Sequence, residues 1–280
     1  MAGNNLILKN WLLQEKNFNE NLILSRKRPT NSSVHDIRVA VKKLRSYLRL
    51  KEELTGDKWK ESFLIISALF KSFGRLRDYD MSLILIRKLE RKEFMSFIFF
   101  KEYLSVNRSL TRKWSKQDAL KFNDQEPEAF NQQFNSLQGS DEEVCEKIIQ
   151  LSALKLKKVK TLAKHFQKNA HKIRKHLKDV YYWLKICPND LAEGFINTRI
   201  LHRILTYLGN WQDHFILKKK MKQYIRDLPK KNEEKVMLTD LEKKLVLAQK
   251  EILDRAIKKW DGIKNKKATK SALSRSHILW

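Results

Sequence analysis

The sequence predicts an all-α protein, and two observations indicate this class. The chain of 280 residues contains only 7 glycines and 4 prolines, the residues that most often interrupt helices. Apolar residues recur at three- and four-residue spacing, as in amphipathic helices, and no segment alternates convincingly as a half-buried strand does. A hydrophobic fraction of 42% suffices for one large core or two modest ones, so we expect a folded chain.

Breakers and capping residues set several boundaries of the predicted helices. The segment Pro29–Ser32 provides capping side chains at the start of the second helix, and Pro188–Asp190 separates two later helices. Gly74 and Gly209 each lie in a motif that predicts a turn between two helices. The predicted helices span Asn5–Ser25, Ser33–Leu54, Lys58–Phe73, Asp78–Arg91, Glu93–Gln117, Asp141–Phe166, Asn169–Ile186, Asp190–Leu208, Trp211–Asp227 and Asn232–Lys259.

The second predicted helix carries a row of cations along one flank, beside an apolar stripe. Each pair of like charges three or four residues apart opposes helix formation by about 0.2–0.5 kcal/mol. The alternative interpretation is that this row is a solvated helix face. Such faces usually interleave Glu with Lys, whereas the single carboxylate here, Asp36, points elsewhere. Arginine forks suit phosphate oxygens, so we expect an anion to face this row. The basic row consists of His35, Arg38, Lys42, Arg45 and Arg49.

The overall charge narrows the classes of partner. With 59 Lys and Arg against 32 Asp and Glu, the formal charge is +27, which attracts polyanions such as nucleic acid, polyphosphate or an acidic membrane surface. Cys145 and Cys187 are too few and too isolated for a disulfide framework or a zinc site, so we expect core residues in a reducing compartment. No signal peptide or run long enough to span a bilayer is evident, which predicts a cytoplasmic protein without a membrane partner.

The two parts of the chain resemble each other. Ala170–Ile186 aligns with Val34–Leu50, with histidine, arginine and lysine at matching positions. Leu208–Phe215 echoes Phe73–Asp80, sharing Gly and Asp at the same separation. Matches in the same order at nearly constant offset indicate an internal duplication. The polar stretch Asn123–Ser140 divides the chain into a first half of about residues 1–125 and a second half of about 140–280.

These motifs resemble the CHAD domain, the conserved histidine α-helical domain. The family's opening basic helix and glycine turn are met by Val34–Arg45 and Phe73–Asp78, and their second copies by Ala170–Tyr182 and Leu208–Asp213. The ending Trp260–Trp280 is similar to a basic, Trp-containing tail common in that family. The resemblance covers the whole chain, residues 1–280, as a single domain. It implies two pseudo-symmetric four-helix bundles around a basic central channel that binds inorganic polyphosphate without chemistry of its own.

The resemblance also implies which cations line the anion path. Tyr181 and Asp179 replace basic residues of the family pattern, and Lys42 is part of a Lys pair that replaces two arginines, so we expect a weaker grip in the second half. We add two rim candidates from the glycine motif, which are Arg75 and Arg77. The implied residues are His35, Arg38, Lys42, Lys43, Arg45 and Arg49 in the first half, and His171, Arg174, Lys175 and Lys178 in the second. We add Lys185, on the same flank, as a candidate that replaces some of the lost charge.

Several roles stay open at this point. His35 and His171 either donate to phosphate or are buried structural residues, and a metal site is the weakest interpretation because no further ligands are suitably spaced. Asp78 caps a helix or pairs with an arginine, and an acid–base role with Asp213 lacks a nucleophile or metal motif. The aromatic residues Tyr182, Trp183, Trp211 and Phe215 fall at helical spacing with Leu and Ile, so we expect most of them in the core rather than stacking on bases.

The sequence therefore predicts a non-enzymatic polyphosphate-binding protein, without a cofactor or an obligate small-molecule substrate, that is cytoplasmic and targeted to polyphosphate granules. A nucleic-acid-binding protein that uses the same basic face is the alternative. A phosphohydrolase with an unrecognised metal site is a third and weaker one. Competition between polyphosphate and DNA separates the first two, and release of orthophosphate would favour the third.

Overall fold

A computed structural model describes residues 6–56, 58, 64–122, 140–229 and 232–264. Helices make up nearly all of these ranges and no β-strand occurs in them, which confirms the all-α class for this part of the chain. Most of the predicted linker and of the basic tail lies outside the described residues. The helices are α1 (Leu6–Lys27), α2 (Asn31–Thr55), α3 (Leu64–Glu93), α4 (Ile98–Lys121), α5 (Asp141–Leu162), α6 (Phe166–Leu184), α7 (Asn189–Phe195), α8 (Thr198–Arg226) and α9 (Glu233–Lys264). A 3-10 turn, Ala163–His165, joins α5 to α6.

Side-chain capping defines the start of α2, as the sequence predicts. The Ser33 backbone N–H donates to Thr30 Oγ1 at 3.1 Å, and the Thr30 N–H donates to Ser33 Oγ at 3.1 Å. The helix ends at Gly56, whose φ of 79° is left-handed and whose N–H bonds to the carbonyl of Glu52. Both ends of the helix that carries the basic row are therefore fixed by local chemistry.

The predicted turns at Gly74 and Gly209 are wrong, because α3 and α8 run through them without a break. Each glycine instead faces an arginine of a neighbouring helix. A Cβ at Gly74 would lie only 2.6 Å from Nη1 of Arg38, and one at Gly209 would lie 3.8 Å from Nη2 of Arg174. Gly74 thus allows a guanidinium to lie against the α3 backbone, which is a tertiary requirement and not a helix end.

Four helices occupy the centre of the molecule. Helix α2 contacts α3 and α6, and α8 contacts the same two helices. Helices α1 and α4 pack outside α2 and α3, whereas α5 and α9 pack outside α6 and α8. Side chains from both halves of the sequence therefore meet along the contacts between α2, α3, α6 and α8.

Three apolar cores hold this arrangement together. The first lies mainly among α1, α2 and α3, and the second among α5, α6, α8 and the end of α9. The third joins the halves, since Leu83 and Phe100 of the first half pack with Met221 and Leu241 of the second. Burying large side chains of this kind stabilises a fold by about 1.5–3 kcal/mol each. The C-terminal parts of α3 and α8 are thereby fixed relative to each other.

The predicted core residues are partly confirmed. Cys145 and Cys187 are both buried in the first core, as predicted. Their thiols lie within hydrogen-bonding reach of each other, whereas the sequence suggested two isolated residues. Trp183 is fully buried, whereas Phe215 is 44% exposed and stacks on Trp211. None of the described helices combines the length and the apolar character needed to cross a bilayer.

Candidate anion-binding site

Arg38 is the best-anchored cation of the basic row. Its Nη1 donates to the Phe70 carbonyl of α3 at 2.9 Å, and its guanidinium carbon lies 4.4 Å from the centre of the Phe70 ring. Gly74, one helical turn further on, leaves the space that the guanidinium fills. Helix α3 therefore holds Arg38 in one orientation before any ligand arrives.

Arg38 belongs to a group of five interacting cations, which we call the central cluster: Arg38, Lys42, Arg77, Arg174 and Lys178. Burial lowers the pKa of Lys42 to about 6, and the nearby Lys178, Arg38, Arg174 and Arg77 lower it further. Burial likewise lowers the pKa of Lys178 to about 7, with Arg174 and Arg38 adding to the effect. The cluster thus brings together cations from α2, α3 and α6, two of them in the second half of the sequence.

These pKa shifts reflect burial of the lysines together with repulsion from the neighbouring cations. A lysine normally stays protonated well above neutral pH, whereas Lys42 and Lys178 lose part or most of their charge near pH 7. Burial also lowers the pKa of Arg38 to about 10, with contributions from Arg77 and Arg174. An anion among these groups would favour their charged forms and reverse the shifts.

Three carboxylates, Asp78, Asp179 and Asp213, act on the five cations and leave the cluster with an excess of positive charge. Arg77 Nη2 lies 3.9 Å from Asp213 Oδ2. Burial raises the pKa of Asp78, and the neighbouring Arg38 and Lys220 oppose that rise. Arg174 Nε is buried and has no hydrogen-bond partner among the described residues. The oxygens of an anionic ligand would accept a hydrogen bond from this N–H group.

Other predicted residues lie at the margin of the cluster. His35 is exposed, and its pKa is lowered first by partial loss of hydration, then by Arg77, Lys42 and Arg38, with Asp36 acting in the opposite direction. His171 is exposed as well, so neither histidine side chain is buried. Solvent screens the charges of exposed groups. The exposed candidates are His35, Arg75, His171, Lys175 and Lys185.

The far end of the basic row is tied to α6. Arg49 donates to Asp179 through Nε at 3.0 Å and Nη2 at 2.5 Å, and Ser46 Oγ donates to the same carboxylate at 2.9 Å. Asp179 is 1% exposed. The residue that the sequence treats as a lost cation therefore balances Arg49 and joins the two halves.

The remaining two candidates, Arg45 of the basic row and Lys43 beside it in the sequence, are half-buried. The Arg45 guanidinium carbon lies 5.4 Å from the centre of the Phe70 ring, so Arg38 and Arg45 both lie over that ring. Burial lowers the pKa of Arg45, and Arg49 adds to the shift. Burial alone lowers the pKa of Lys43. Arg45 lies on the same helix flank as Arg38 and Arg49 and extends the cationic surface toward Arg49, whereas Lys43 lies on another face of α2.

Sequence reasoning missed Phe70 and Lys220. Burial lowers the pKa of Lys220 to about 8, and Asp78 partly offsets this, so the lysine belongs to the same electrostatic group. Their spacing from the glycine motifs could have identified both residues from the sequence. Phe70 precedes Gly74 by four residues and Lys220 follows Asp213 by seven, which places each pair on one helix face.

The arrangement offers electrostatic binding and hydrogen-bond donors. Within the described residues, no group of three or more His, Cys, Asp or Glu side chains could hold a metal ion. Arginine forks and lysines around a partly buried space suit an extended anion with many acceptor oxygens.

Comparison with known proteins shows the fold and the family of this chain. No curated protein matches the chain. A solved structure, the crystal structure of the CHAD domain from the plant Ricinus communis, has 18% sequence identity and a TM-score of 0.72, and the match covers 91% of this chain and 90% of that one. At this identity the match shows a shared fold. The family model described as "CHAD domain" matches residues 14–222, which include the whole central cluster, so this chain belongs to the CHAD domain family.

Proposed function

We propose that the protein binds inorganic polyphosphate, without catalysis, in a basic channel between two pseudo-symmetric four-helix bundles. The observation that carries this proposal is the meeting of partly buried cations from the two halves: Lys178 and Arg174 of the second half add to the effect of burial in lowering the pKa of Lys42, and the Arg174 Nε has no hydrogen-bond partner among the described residues. Gathering cations in this way opposes folding unless an anion is bound. Each phosphate unit of polyphosphate carries negative charge, and the chain has no other chemical group that would need its own binding pocket.

The shape of the basic surface favours a thin, flexible polyanion. From His35 to Arg45 the row extends about 15 Å along α2, as ten residues of helix do. A chain of phosphates can follow it and release its counterions, which makes binding sensitive to salt. Single-stranded nucleic acid needs open aromatic rings on which its bases stack. The Phe70 ring is covered by Arg38 and Arg45 and therefore offers no such platform.

Competition binding tests the proposal against its alternatives. A labelled long-chain polyphosphate is bound to the protein at physiological salt, then displaced with unlabelled polyphosphate or with DNA at matched phosphate concentration. We expect DNA to compete only at far higher concentration, and we expect no orthophosphate to appear. Equal or better competition by DNA would favour nucleic-acid binding, and steady release of orthophosphate would favour a phosphohydrolase.

The same proposal extends to location. A protein that binds polyphosphate in the cytoplasm would associate with polyphosphate granules through the central cluster. Variants that replace Lys42 or Lys178 would then lose that association together with their affinity for polyphosphate in solution.

A further inference from the structure

The turn between α3 and α4 presents apolar side chains to solvent, and we call this the hairpin tip, residues 94–99. Phe94 is 95% exposed, and Ile98 and Phe99 are each 63% exposed. By contrast, Phe97 is fully buried, and its N–H donates to Glu90 Oε1 at 2.7 Å. The turn is thus anchored from within while three large apolar side chains face outward.

The backbone of Phe94 is in an unfavourable conformation. Its φ of 52° is the only positive value recorded for a non-glycine residue in the described part of the chain. Bulky residues rarely adopt this left-handed region, where glycine is the usual choice. Phe94 neither relieves this strain nor buries its ring within the protein. Such strain at an exposed aromatic residue indicates a role outside the folded chain.

Exposed cations lie beside the hairpin tip on α3, and the two acids in the last turn of that helix are paired. Glu90 lies 2.8 Å from Lys101 Nζ, and Glu93 pairs with Lys244. The last two turns of α3 thus present mainly positive charge to solvent beside the apolar tip. The exposed cations there are Arg87, Lys88, Arg91 and Lys92.

We propose that the hairpin tip binds the surface of an anionic phospholipid membrane. Phe94 and Phe99 enter the boundary between headgroups and acyl chains, and the neighbouring cations contact lipid phosphates. An apolar protrusion beside a group of exposed cations complements a soft anionic surface. The expectation that no membrane partner exists rests on the lack of a spanning segment, which does not bear on this kind of peripheral contact.

The hairpin tip is separate from the central cluster. Phe94 follows Gly74 by twenty positions along α3 and the residue after it, which corresponds to about 30 Å of helix. The protein can therefore bind polyphosphate and a membrane surface at the same time. A variant of the tip should keep the polyphosphate affinity of the parent.

Vesicle flotation with two apolar variants tests the proposal. The parent, Phe94→Gly and Phe99→Ser are mixed with vesicles of phosphatidylcholine alone or with phosphatidylglycerol added. Phe94→Gly suits the left-handed backbone, so we expect its melting temperature to equal or exceed that of the parent. We expect both variants to bind acidic vesicles about tenfold less than the parent, because a buried ring is lost. Leu191→Ser, at a residue 42% exposed on α7, should bind as the parent does.

A second pair of variants separates local from general attraction, since a chain of charge +27 binds any acidic surface to some extent. The tip variant changes Lys88, Arg91 and Lys92 to Gln. The control changes Lys160, Lys164 and Lys168, exposed residues near the second core, to Gln and so removes the same charge. We expect a clear loss of vesicle binding for the tip variant alone. Equal losses for the two charge variants, unchanged binding of Phe94→Gly and Phe99→Ser, or no vesicle binding by the parent would overturn the proposal.

Discussion

Lys42 links folding to binding through a single buried charge. Its pKa of about 6 in the folded protein compares with an ordinary value of 10.5. Between these values the unfolded chain holds a proton that the folded chain lacks, so stability contributed by this residue rises with pH across that window. The folded protein therefore keeps at its centre a lysine that opposes folding and gains charge when an anion is bound.

Replacing this lysine should change stability and affinity in opposite directions. For Lys42→Met we expect the free energy of unfolding to rise by about 1 kcal/mol or more, because no charge is left to desolvate. Polyphosphate affinity should fall about tenfold, since one phosphate contact is lost. Urea denaturation and calorimetric titration measure the two effects. Lys160→Met, at an exposed residue, should change stability by less than about 0.5 kcal/mol. A loss of both stability and affinity in Lys42→Met would contradict this account of its role.

The affinity for polyphosphate should depend on pH for the same reason. The bound anion raises the pKa values of Lys42 and Lys178 above about 6 and about 7, so binding takes up protons. Affinity is then highest below pH 6 and falls as the pH rises through these values toward the pKa values of the complex. Titrations in buffers of different ionisation enthalpy measure the proton uptake. A flat profile from pH 6 to pH 9 without proton uptake would mean that the two lysines do not contact the ligand.

At the scale of the helix, α3 and α8 show where sequence reasoning stops. Their glycines, followed by polar residues, have the local chemistry of a helix end, and the predicted turns follow from it. In the structure, Gly74 of α3 leaves space for the Arg38 guanidinium of α2. No pattern within α3 reveals that contact. Asp179 was misread in the same way, because its partner Arg49 lies on α2. Helix periodicity is local information, whereas these contacts are not.

Alanine at the two glycines should have different effects despite their equivalent positions. Alanine is favoured over glycine within a helix by about 0.5–1 kcal/mol. Gly209→Ala has space for the methyl group, so we expect it to gain that stability and keep its affinity. Gly74→Ala forces the Arg38 guanidinium away from the Phe70 carbonyl, so we expect no gain in stability and about a tenfold loss of polyphosphate affinity. Equal affinities for the two variants would show that the orientation of Arg38 is unimportant.

The Asp179 carboxylate should matter for the contact between α2 and α6. Asp179→Ala leaves Arg49 and Lys155 without this buried counter-charge, and we expect the free energy of unfolding to fall by about 3 kcal/mol or more. Asp240→Ala removes an exposed carboxylate that pairs with Lys243 at 2.9 Å and should cost less than about 1 kcal/mol. Urea midpoints measure both changes. Similar small losses would show that the buried pair adds little to the contact between the helices.

For the whole molecule, the duplication in the sequence indicated which cations of the two halves lie near one another, but not how they are supported. Arg38, Lys42, Arg174 and Lys178 were named from their spacing, and the structure places them within interaction range of one another. Spacing along one helix gives the direction of a side chain and not its partners, which is why Phe70 remained unseen. The third core was also unforeseen, because it depends on the ends of helices from both halves.

The central claim is that buried cations from both halves bind one polyphosphate chain. Calorimetric titration with long-chain polyphosphate tests it most directly, with a Lys42→Met/Lys178→Met variant beside a Lys160→Met/Lys164→Met control that loses the same number of lysines. We expect the buried pair to lose at least about tenfold in affinity and to lower the salt dependence by about one unit per residue, with little change in the control. Equal losses in the two variants would mean that net charge, and not the central cluster, binds the polyanion.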